Sequence, residues 1–260
     1  MDYDKYMFVF ASYLHYTRTD DLWQHMFFND DLLTINPRAS TLYGNYSEAN
    51  RNKLISTLID NIFIRNIIKT TNIFHEVNKM TKALLIIDYT NDFVADDGSL
   101  TCGKPAQAIE DYLLSLANDF FDNGDYVIFP TDGHTGDKFS PEYKLFPPHN
   151  IVGTPGQELY GKLKTWFQEH KDSNRVYQFN KNRYSSFQNT NLDNYLRERK
   201  IDDLWLTGVC TDICVLHTAI AAYNLNYKIT IPKKGVATFT KYGNEWAFDH
   251  FRNSLGAKLI

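Results

Sequence analysis

Two of the three cysteines in the chain, Cys210 and Cys214, lie four residues apart in the segment GVCTDICVLHTA. Three cysteines are too few for a disulfide framework, and in a reducing compartment thiols at this spacing are more often free than bridged. Cys214 follows the polar turn TD at the start of an apolar helix, where backbone N–H groups and the helix dipole lower the pKa of a thiol. The pattern predicts a reactive Cys214 and an internally packed Cys210. An inert buried thiol is the alternative for each.

Two charged residues come at the ends of short apolar runs. Asp88 ends the run ALLIID, and Lys181 follows RVYQFN. If these runs are parallel strands, both residues lie at the carboxyl edge of the sheet, where the sites of such folds form. An acid, a base and a thiol that meet there make a nucleophile with its proton shuttle. Helix capping by Asp88 and a solvated Lys181 are the ordinary alternatives.

A second group of polar residues lies in the segment TDGHTGDKFSPEYKLFPPHN. Asp132 and His134 alternate on extended chain and point to one side, and Glu142 and His149 follow on a loop that three prolines restrict. Two imidazoles and two carboxylates suit a divalent metal such as zinc, iron or manganese. Asp137 is also available, so the third ligand stays open. A polar surface loop with unrelated histidines is the alternative.

These residues need a scaffold, and strand-like and helix-like segments alternate from Ala83 to the end of the chain. Strands are predicted over residues 83–88, 126–131, 175–180, 203–208, 227–232 and 257–260. Helices are predicted over residues 106–124, 153–170, 192–199, 214–225 and 244–256. This order requires right-handed crossovers. It predicts a three-layer α/β/α fold with a mainly parallel, doubly wound sheet.

Residues 1–79 lack this alternation. The segment SEANRNKLISTLIDNIFIRNIIK has Ser47 placed as an N-cap and apolar residues at helical spacing. It predicts a small, mostly helical N-terminal extension that packs on the main domain or makes an oligomer contact. No cluster of acid, base and nucleophile marks a second catalytic unit there. The domain boundary is expected near Met80, with the catalytic domain over residues 80–260.

Composition and charge exclude several function classes. The 260 residues are 43% hydrophobic and 22% charged, which is typical of a globular chain, and no apolar run approaches the roughly 20 residues of a membrane span. The first residues carry acids where a secretory signal needs bases. With a net charge of −4 and no cluster of Lys or Arg, the chain offers nothing to a phosphate backbone. We expect a cytoplasmic protein without nucleic-acid or membrane partners.

The chain resembles the nicotinamidase branch of the isochorismatase-like cysteine hydrolases in several ordered motifs. These are ALLIIDYTNDF, DGH with KLFPPHN and GTPG, KNRYSSF, and GVCTDICVLHTAIAAYNL. The resemblance covers residues 80–260 and does not extend to residues 1–79. It implies the isochorismatase-like fold and an amidase activity.

By this resemblance, the catalytic triad falls on Asp88, Lys181 and Cys214. The backbone N–H groups of Cys210 and Cys214 correspond to the family's oxyanion hole, after a cis peptide bond between Val209 and Cys210. The cysteine pair is then one nucleophile and one neighbour that supplies only its backbone.

The remaining site residues also come from the resemblance. The metal ligands of the family fall on Asp132, His134, Glu142 and His149. Glu142 matches a variant in which a glutamate replaces a middle histidine. Phe93 and Tyr184 correspond to aromatic residues that flank the ring of the substrate.

The implied reaction is the hydrolysis of nicotinamide to nicotinate and ammonia, a step of NAD salvage, with pyrazinamide as a further substrate. The resemblance implies one divalent metal ion per subunit, with zinc as the first choice and iron or manganese as alternatives, and a homo-oligomer. One rival is a related cysteine hydrolase that acts on another small carboxamide or ureido compound. Another is a non-catalytic binding module on the same fold.

Overall fold

The computed structural model of the protein describes residues 81–136 and 141–260. The predicted extension over residues 1–79 and the candidate ligand Asp137 lie outside the described residues. The strands are β1 (Lys82–Ile87), β2 (Tyr126–Asp132), β3 (Val176–Lys181), β4 (Asp203–Val209), β5 (Lys228–Ile231), β6 (Val236–Ala237) and β7 (Lys258–Leu259). The α-helices are α1 (Asn91–Val94), α2 (Lys104–Gln107), α3 (Glu110–Asp122), α4 (Gly161–His170), α5 (Leu192–Glu198), α6 (Leu216–Asn224) and α7 (Lys241–Asn253).

The strands form one sheet in the order β3-β2-β1-β4-β5-β7, and the short β6 also pairs with β4. Every pairing between these strands is parallel. The chain runs outward from β1 through β2 to β3 and then returns to β4 on the other side of β1. The strand order therefore reverses between β1 and β4, and the carboxyl ends of strands at such a switch point are where ligands bind.

The two faces of β1 belong to two separate hydrophobic clusters. Leu85 and Ile87 pack in a cluster with residues of α5, α6 and α7. Leu84 and Ile86 pack in the other cluster, with residues of α3 and α4. All four side chains are fully buried, which is why the strand reads as a continuous apolar run and not as an alternating one. The predicted three-layer α/β/α fold is confirmed for the described residues.

The helix predicted over residues 153–170 is shorter in the structure. It begins at Gly161, and Pro155 lies in a separate 3-10 turn, Pro155–Gln157. The chain between them is extended because it pairs with the segment after β1, where Tyr160 donates its N–H to the carbonyl of Tyr89 at 3.0 Å. Within the part of the chain that the structure describes, no helix combines the length and apolar composition that a membrane crossing requires.

Candidate active site

Four neighbouring strands bring the predicted site residues to one edge of the sheet. Asp88 follows β1, Asp132 and Lys181 are the last residues of β2 and β3, and Cys210 follows β4 directly. The register pairs Asp132 with Lys181 across β2 and β3. Because all four strands are parallel, their carboxyl ends meet at the same edge, as the alternation in the sequence predicts.

Asp88 is held over the end of β2. Its backbone is left-handed, with φ of 55°, and its N–H donates to the carbonyl of Pro130 at 3.0 Å. Its Oδ1 accepts the N–H of Asp132 at 2.7 Å. Thr90, and not Asp88, is the residue that precedes α1. The helix-capping alternative for Asp88 is therefore excluded.

Lys181 contacts both the acid and the thiol. Its Nζ lies 2.8 Å from Oδ2 of Asp88 and 3.7 Å from Sγ of Cys214, and it donates to the carbonyl of Arg183 at 3.1 Å. The side chains of Lys181 and Asp88 are both 0% exposed, so their ion pair lies in a region of low dielectric constant, where charges interact strongly. A solvated Lys181 is therefore excluded.

The charges of this group follow from its burial. Burial raises the pKa of Asp88 to about 6, and the positive charge of Lys181 opposes the rise. Burial acts to lower the pKa of Lys181, but the negative charges of Asp88 and Asp132 and the hydrogen bond to Asp88 act in the opposite direction, and the pKa of Lys181 is raised well above its ordinary value. At neutral pH the site therefore holds a carboxylate and an ammonium group side by side.

The prediction that the helix start lowers the pKa of Cys214 is wrong for the resting protein. Cys214 lies in a π-helical turn, Thr211–Val215, that directly precedes α6. Its burial raises the pKa of the thiol well above the ordinary value, although Lys181 opposes the rise. The thiol therefore keeps its proton at rest, and the negative charge of the nearby Asp88 carboxylate, which can accept that proton, adds to the rise.

The turn that carries Cys214 is closed by hydrogen bonds to the backbone carbonyl of Cys210. The peptide bond between Val209 and Cys210 is cis, as the resemblance implies. The carbonyl of Cys210 accepts the N–H groups of Ile213 and Val215, both at 3.1 Å. Its side chain points into the core, as predicted, where its Sγ lies 3.2 Å from Sγ of Cys102. The sequence carries no signal for this contact, because the two cysteines are 108 residues apart.

Gly208, near the end of β4, allows the two central strands to approach beneath the site. It has a φ of 103° and is paired with Ile87 of β1. A Cβ at this position would lie 2.1 Å from the carbonyl oxygen of Ile87. Only glycine fits a position with both this φ and this contact, so the glycine of DLWLTGVC positions the ends of β1 and β4.

The second predicted group is also brought together. Asp132, His134, Glu142 and His149 are buried, and one potential ligand atom of each lies within 4.8 Å of the others. Nε2 of His134 and Nε2 of His149 lie 2.9 and 3.3 Å from Oδ2 of Asp132. The same two nitrogens lie 3.6 and 3.9 Å from Oε2 of Glu142. The polar-surface-loop alternative is excluded, since all four side chains face one another inside the protein.

This donor set fits a divalent metal ion. Two imidazole nitrogens and two carboxylate oxygens that converge from different segments suit zinc, iron or manganese. Nδ1 of His149 faces the carbonyl of Pro147 at 2.7 Å, so Nε2 is the nitrogen directed at the group. A metal-ligating histidine usually has this arrangement, with its second nitrogen held by a carbonyl or carboxylate. The group could therefore hold one metal ion.

Two aromatic side chains border the site. Phe93, on α1, is only 5% exposed, and its ring centroid lies 5.4 Å from that of His149. Tyr184 follows β3 on the loop that begins with Lys181. Burial raises the pKa of Tyr184, and the negative charge of Glu142 adds to the rise. The ring of Tyr184 packs against the hydrophobic cluster that contains Cys214, and its centroid lies 5.1 Å from that of His217.

Two buried polar residues next to the site, Asp92 and Asn150, were not predicted from the sequence. Asp92 precedes Phe93, Asn150 follows His149, and Oδ2 of Asp92 accepts the N–H of Asn150 at 2.7 Å. A single acid between polar and apolar neighbours in YTNDF is a weak signal. The bond itself joins positions 58 residues apart, so only the tertiary structure reveals it.

The described part of the chain is similar to known proteins in sequence and in fold. The family model described as Isochorismatase domain matches residues 82–260. The crystal structure of pyrazinamidase/nicotinamidase from Streptococcus mutans UA159 is 54% identical, with a TM-score of 0.68, over 69% of this chain and 100% of that chain. The crystal structure of nicotinamidase/pyrazinamidase PncA from Bacillus subtilis is 54% identical, also with a TM-score of 0.68, over 70% of this chain and 100% of that chain.

A more distant relative shares the same name. The nicotinamidase/pyrazinamidase of Mycobacterium tuberculosis is 38% identical over 151 residues, which is 53% of this chain and 76% of that protein. The family model matches well over half of the chain, and the similarity to the Bacillus and Streptococcus proteins spans their whole length or nearly so. This chain belongs to the isochorismatase family.

Proposed function

We propose that the protein is a nicotinamidase, a cysteine amidohydrolase that converts nicotinamide and water to nicotinate and ammonia. One observation carries the proposal: Lys181 Nζ lies 2.8 Å from the Asp88 carboxylate and 3.7 Å from the Cys214 thiol, beside a buried group of four residues that could hold a metal ion. Relatives that are 54% identical bear the nicotinamidase name, which supports nicotinamide as the substrate. The names support pyrazinamide as a second substrate.

The first step moves a proton within the triad. The buried thiol of Cys214 is protonated at rest, and the nearby carboxylate of Asp88 is the acceptor for its proton. Lys181 stabilises the negative charge in either position, because its ammonium contacts both the acid and the sulfur. Transfer of the thiol proton to the carboxylate is general base catalysis.

The thiolate then attacks the carboxamide carbon of nicotinamide and forms a C–S bond. The carbonyl oxygen becomes negative and is stabilised by the backbone N–H groups of Cys210 and Cys214 on the turn after the cis peptide. The C–N bond breaks as Asp88 returns its proton to the nitrogen, which leaves as ammonia. A water molecule, deprotonated by Asp88, attacks the thioester, and nicotinate is released with the thiol restored.

Asp132, His134, Glu142 and His149 would hold one divalent metal ion, with zinc as the first choice and iron or manganese as alternatives. When bound, the ion supplies a Lewis-acidic position for the pyridine nitrogen of the substrate, which orients the ring and does not generate the nucleophile. Phe93 and Tyr184 would contact the faces of the ring. Nicotinamide has a ring nitrogen that could bind a metal ion, whereas a small ureido compound has none. The metal group therefore favours nicotinamide as the substrate.

The biological context follows from the reaction. Nicotinate formed here would serve the recycling of nicotinamide to NAD. A cytoplasmic location, a homo-oligomeric state and a helical extension over residues 1–79 stay predictions from the sequence.

The test is the release of ammonia by the purified full-length chain with nicotinamide, pyrazinamide or an N-carbamoyl amino acid as the substrate. We expect faster turnover of nicotinamide and pyrazinamide than of the ureido compound. Faster turnover of the ureido compound would favour the rival hydrolase. Binding of nicotinamide without any ammonia release would favour the non-catalytic module.

A further inference from the structure

We propose that Asp92 is a positioning residue that fixes the ring-flanking Phe93 and the metal-ligating His149 relative to each other. The proposal rests on the nicotinamidase function proposed above. Asp92 lies on the short helix α1 directly before Phe93, and its carboxylate reaches the loop that carries His149. It thus joins two segments that hold different parts of the same substrate.

The carboxylate of Asp92 is satisfied by backbone N–H groups from two loops. Its Oδ1 accepts the N–H of Ser99 at 3.1 Å, and its Oδ2 accepts the N–H of Asn150 at 2.7 Å. The residue is 9% exposed, so these bonds are largely shielded from water. An ionised carboxylate has acceptor sites on both oxygens, whereas an amide has one accepting oxygen and one donating nitrogen. Both bonds therefore require the acid.

Asn150 transmits this contact to the metal group. It has a left-handed backbone, with φ of 44°, and its Oδ1 accepts the hydroxyl of Thr90 at 2.9 Å. Its carbonyl accepts the N–H of His134 at 3.0 Å, and His149 is its direct neighbour in the chain. Asn150 is thus bonded to the segment before α1 on one side and borders two metal ligands on the other.

The loop around Asp92 leaves the carboxylate little freedom to move. A Cβ at Gly156 would lie 2.3 Å from Oδ2 of Asp92, so the backbone of this loop packs directly against the acid. The neighbouring Asn91 donates its side-chain Nδ2 to the carbonyl of Pro155 at 2.7 Å. The ring centroid of Phe93 lies 5.4 Å from that of His149, and the bond from Asp92 to Asn150 joins the two segments that carry these rings.

The experiment compares full-length wild type with Asp92→Asn, which preserves the size of the side chain. The dissociation constant of Zn²⁺ alone is measured by competition with a chromophoric chelator, without substrate. Groups that orient metal ligands affect metal affinity by about 10- to 100-fold, and we expect about a tenfold weaker affinity here. The KM for nicotinamide should rise, while kcat at saturating Zn²⁺ and substrate should change less.

A second variant, Thr90→Val, removes only the hydroxyl that contacts Asn150, and it keeps the test decisive if Asp92→Asn does not fold. It should weaken Zn²⁺ binding in the same direction by a smaller factor. The matched control is Asp125→Asn. Asp125 is also a buried acid that accepts a backbone N–H, that of Lys82 at 3.1 Å, but it lies at the opposite edge of the sheet. Its variant should keep the wild-type affinity for Zn²⁺.

The proposal would be overturned if Asp92→Asn kept the wild-type Zn²⁺ affinity and KM. If Asp92→Asn does not fold, the same result in Thr90→Val would overturn it. An equal loss of affinity in Asp125→Asn would overturn it too, because the effect would then be general destabilisation. A wild-type protein that binds no Zn²⁺ and releases no ammonia from nicotinamide would overturn the proposed function as well. Unchanged affinity in the variants of an active wild type would overturn this inference alone.

Discussion

Lys181 and Asp132 are paired across β3 and β2, and Lys181 Nζ lies 3.5 Å from Oδ1 of Asp132 as well as 2.8 Å from Oδ2 of Asp88. One ammonium group therefore lies between the acid of the proposed triad and a residue of the candidate metal-binding group. Oδ2 of the same Asp132 faces His134 and His149. Lys181 and Asp132 therefore connect the triad and the metal group, and a substitution in one group should alter the electrostatics of the other.

Cys214→Ala should abolish the amidase activity and keep the binding of nicotinamide. The nucleophile is lost, but Phe93, Tyr184 and the metal group remain, so turnover should fall by about a thousandfold or more while the dissociation constant of nicotinamide changes little. Ammonia release and calorimetric titration measure the two quantities. Cys210→Ala is the control and should keep most of the activity, since only its backbone is proposed to act. Full activity in Cys214→Ala would refute the assignment.

Lys181→Met should destabilise the protein as well as inactivate it. The variant keeps the length of the side chain but leaves the buried carboxylates of Asp88 and Asp132 without their cation, which costs about 3 to 5 kcal/mol when one partner of a buried pair is removed. Urea denaturation measures the free energy of unfolding. Lys162→Met is the control, because Lys162 and its partner Asp111 are exposed, and no measurable loss is expected there. Equal stability of the two variants would contradict the account of the ion pair.

Removal of the metal should lower both stability and activity. A ligand present at a hundredfold excess over its dissociation constant stabilises the folded state by about 2.7 kcal/mol, so Zn²⁺ should raise the melting temperature of the metal-free wild type with the logarithm of its concentration. Chelation should also raise the KM for nicotinamide and lower kcat together, because orientation of the ring is lost. In His149→Ala the thermal shift should disappear. A shift of the same size in that variant would place the ion elsewhere.

Gly208→Ala should be more damaging than another glycine substitution at positive φ. At Gly208 the new methyl group would meet the carbonyl oxygen of Ile87 at 2.1 Å, whereas at Gly153, with φ of 81°, nothing lies within 4 Å. Gly153→Ala should lower the free energy of unfolding only by the penalty for a left-handed backbone, about 1 to 2 kcal/mol. Gly208→Ala should cost more and lower kcat, since it separates the strand ends that carry Asp88 and Cys210. Denaturant titration and ammonia release distinguish the two variants.

Much of the site could be predicted because the signals are local. An acid after ALLII, a lysine after RVYQFN and a cysteine after DLWLTGVCTDI are each read from a few neighbouring residues, and parallel strands bring their ends to one edge whatever the distance along the chain. The four residues of the metal group were likewise identified from types and spacing in one segment. The structure brings both groups together.

Other features depend on contacts that no local pattern encodes. The helix start near Cys214 favoured a low thiol pKa, but burial of the sulfur is the larger effect and raises it. The extended chain before Gly161, the contact of Cys210 with Cys102 and the bond from Asp92 to Asn150 all join distant segments. The sequence by itself determined which side chains end the strands, because strand and helix periodicity are properties of short segments. Only the tertiary structure decided how deeply those side chains are buried and which charges they meet, because burial and electrostatic environment depend on every element that packs around them.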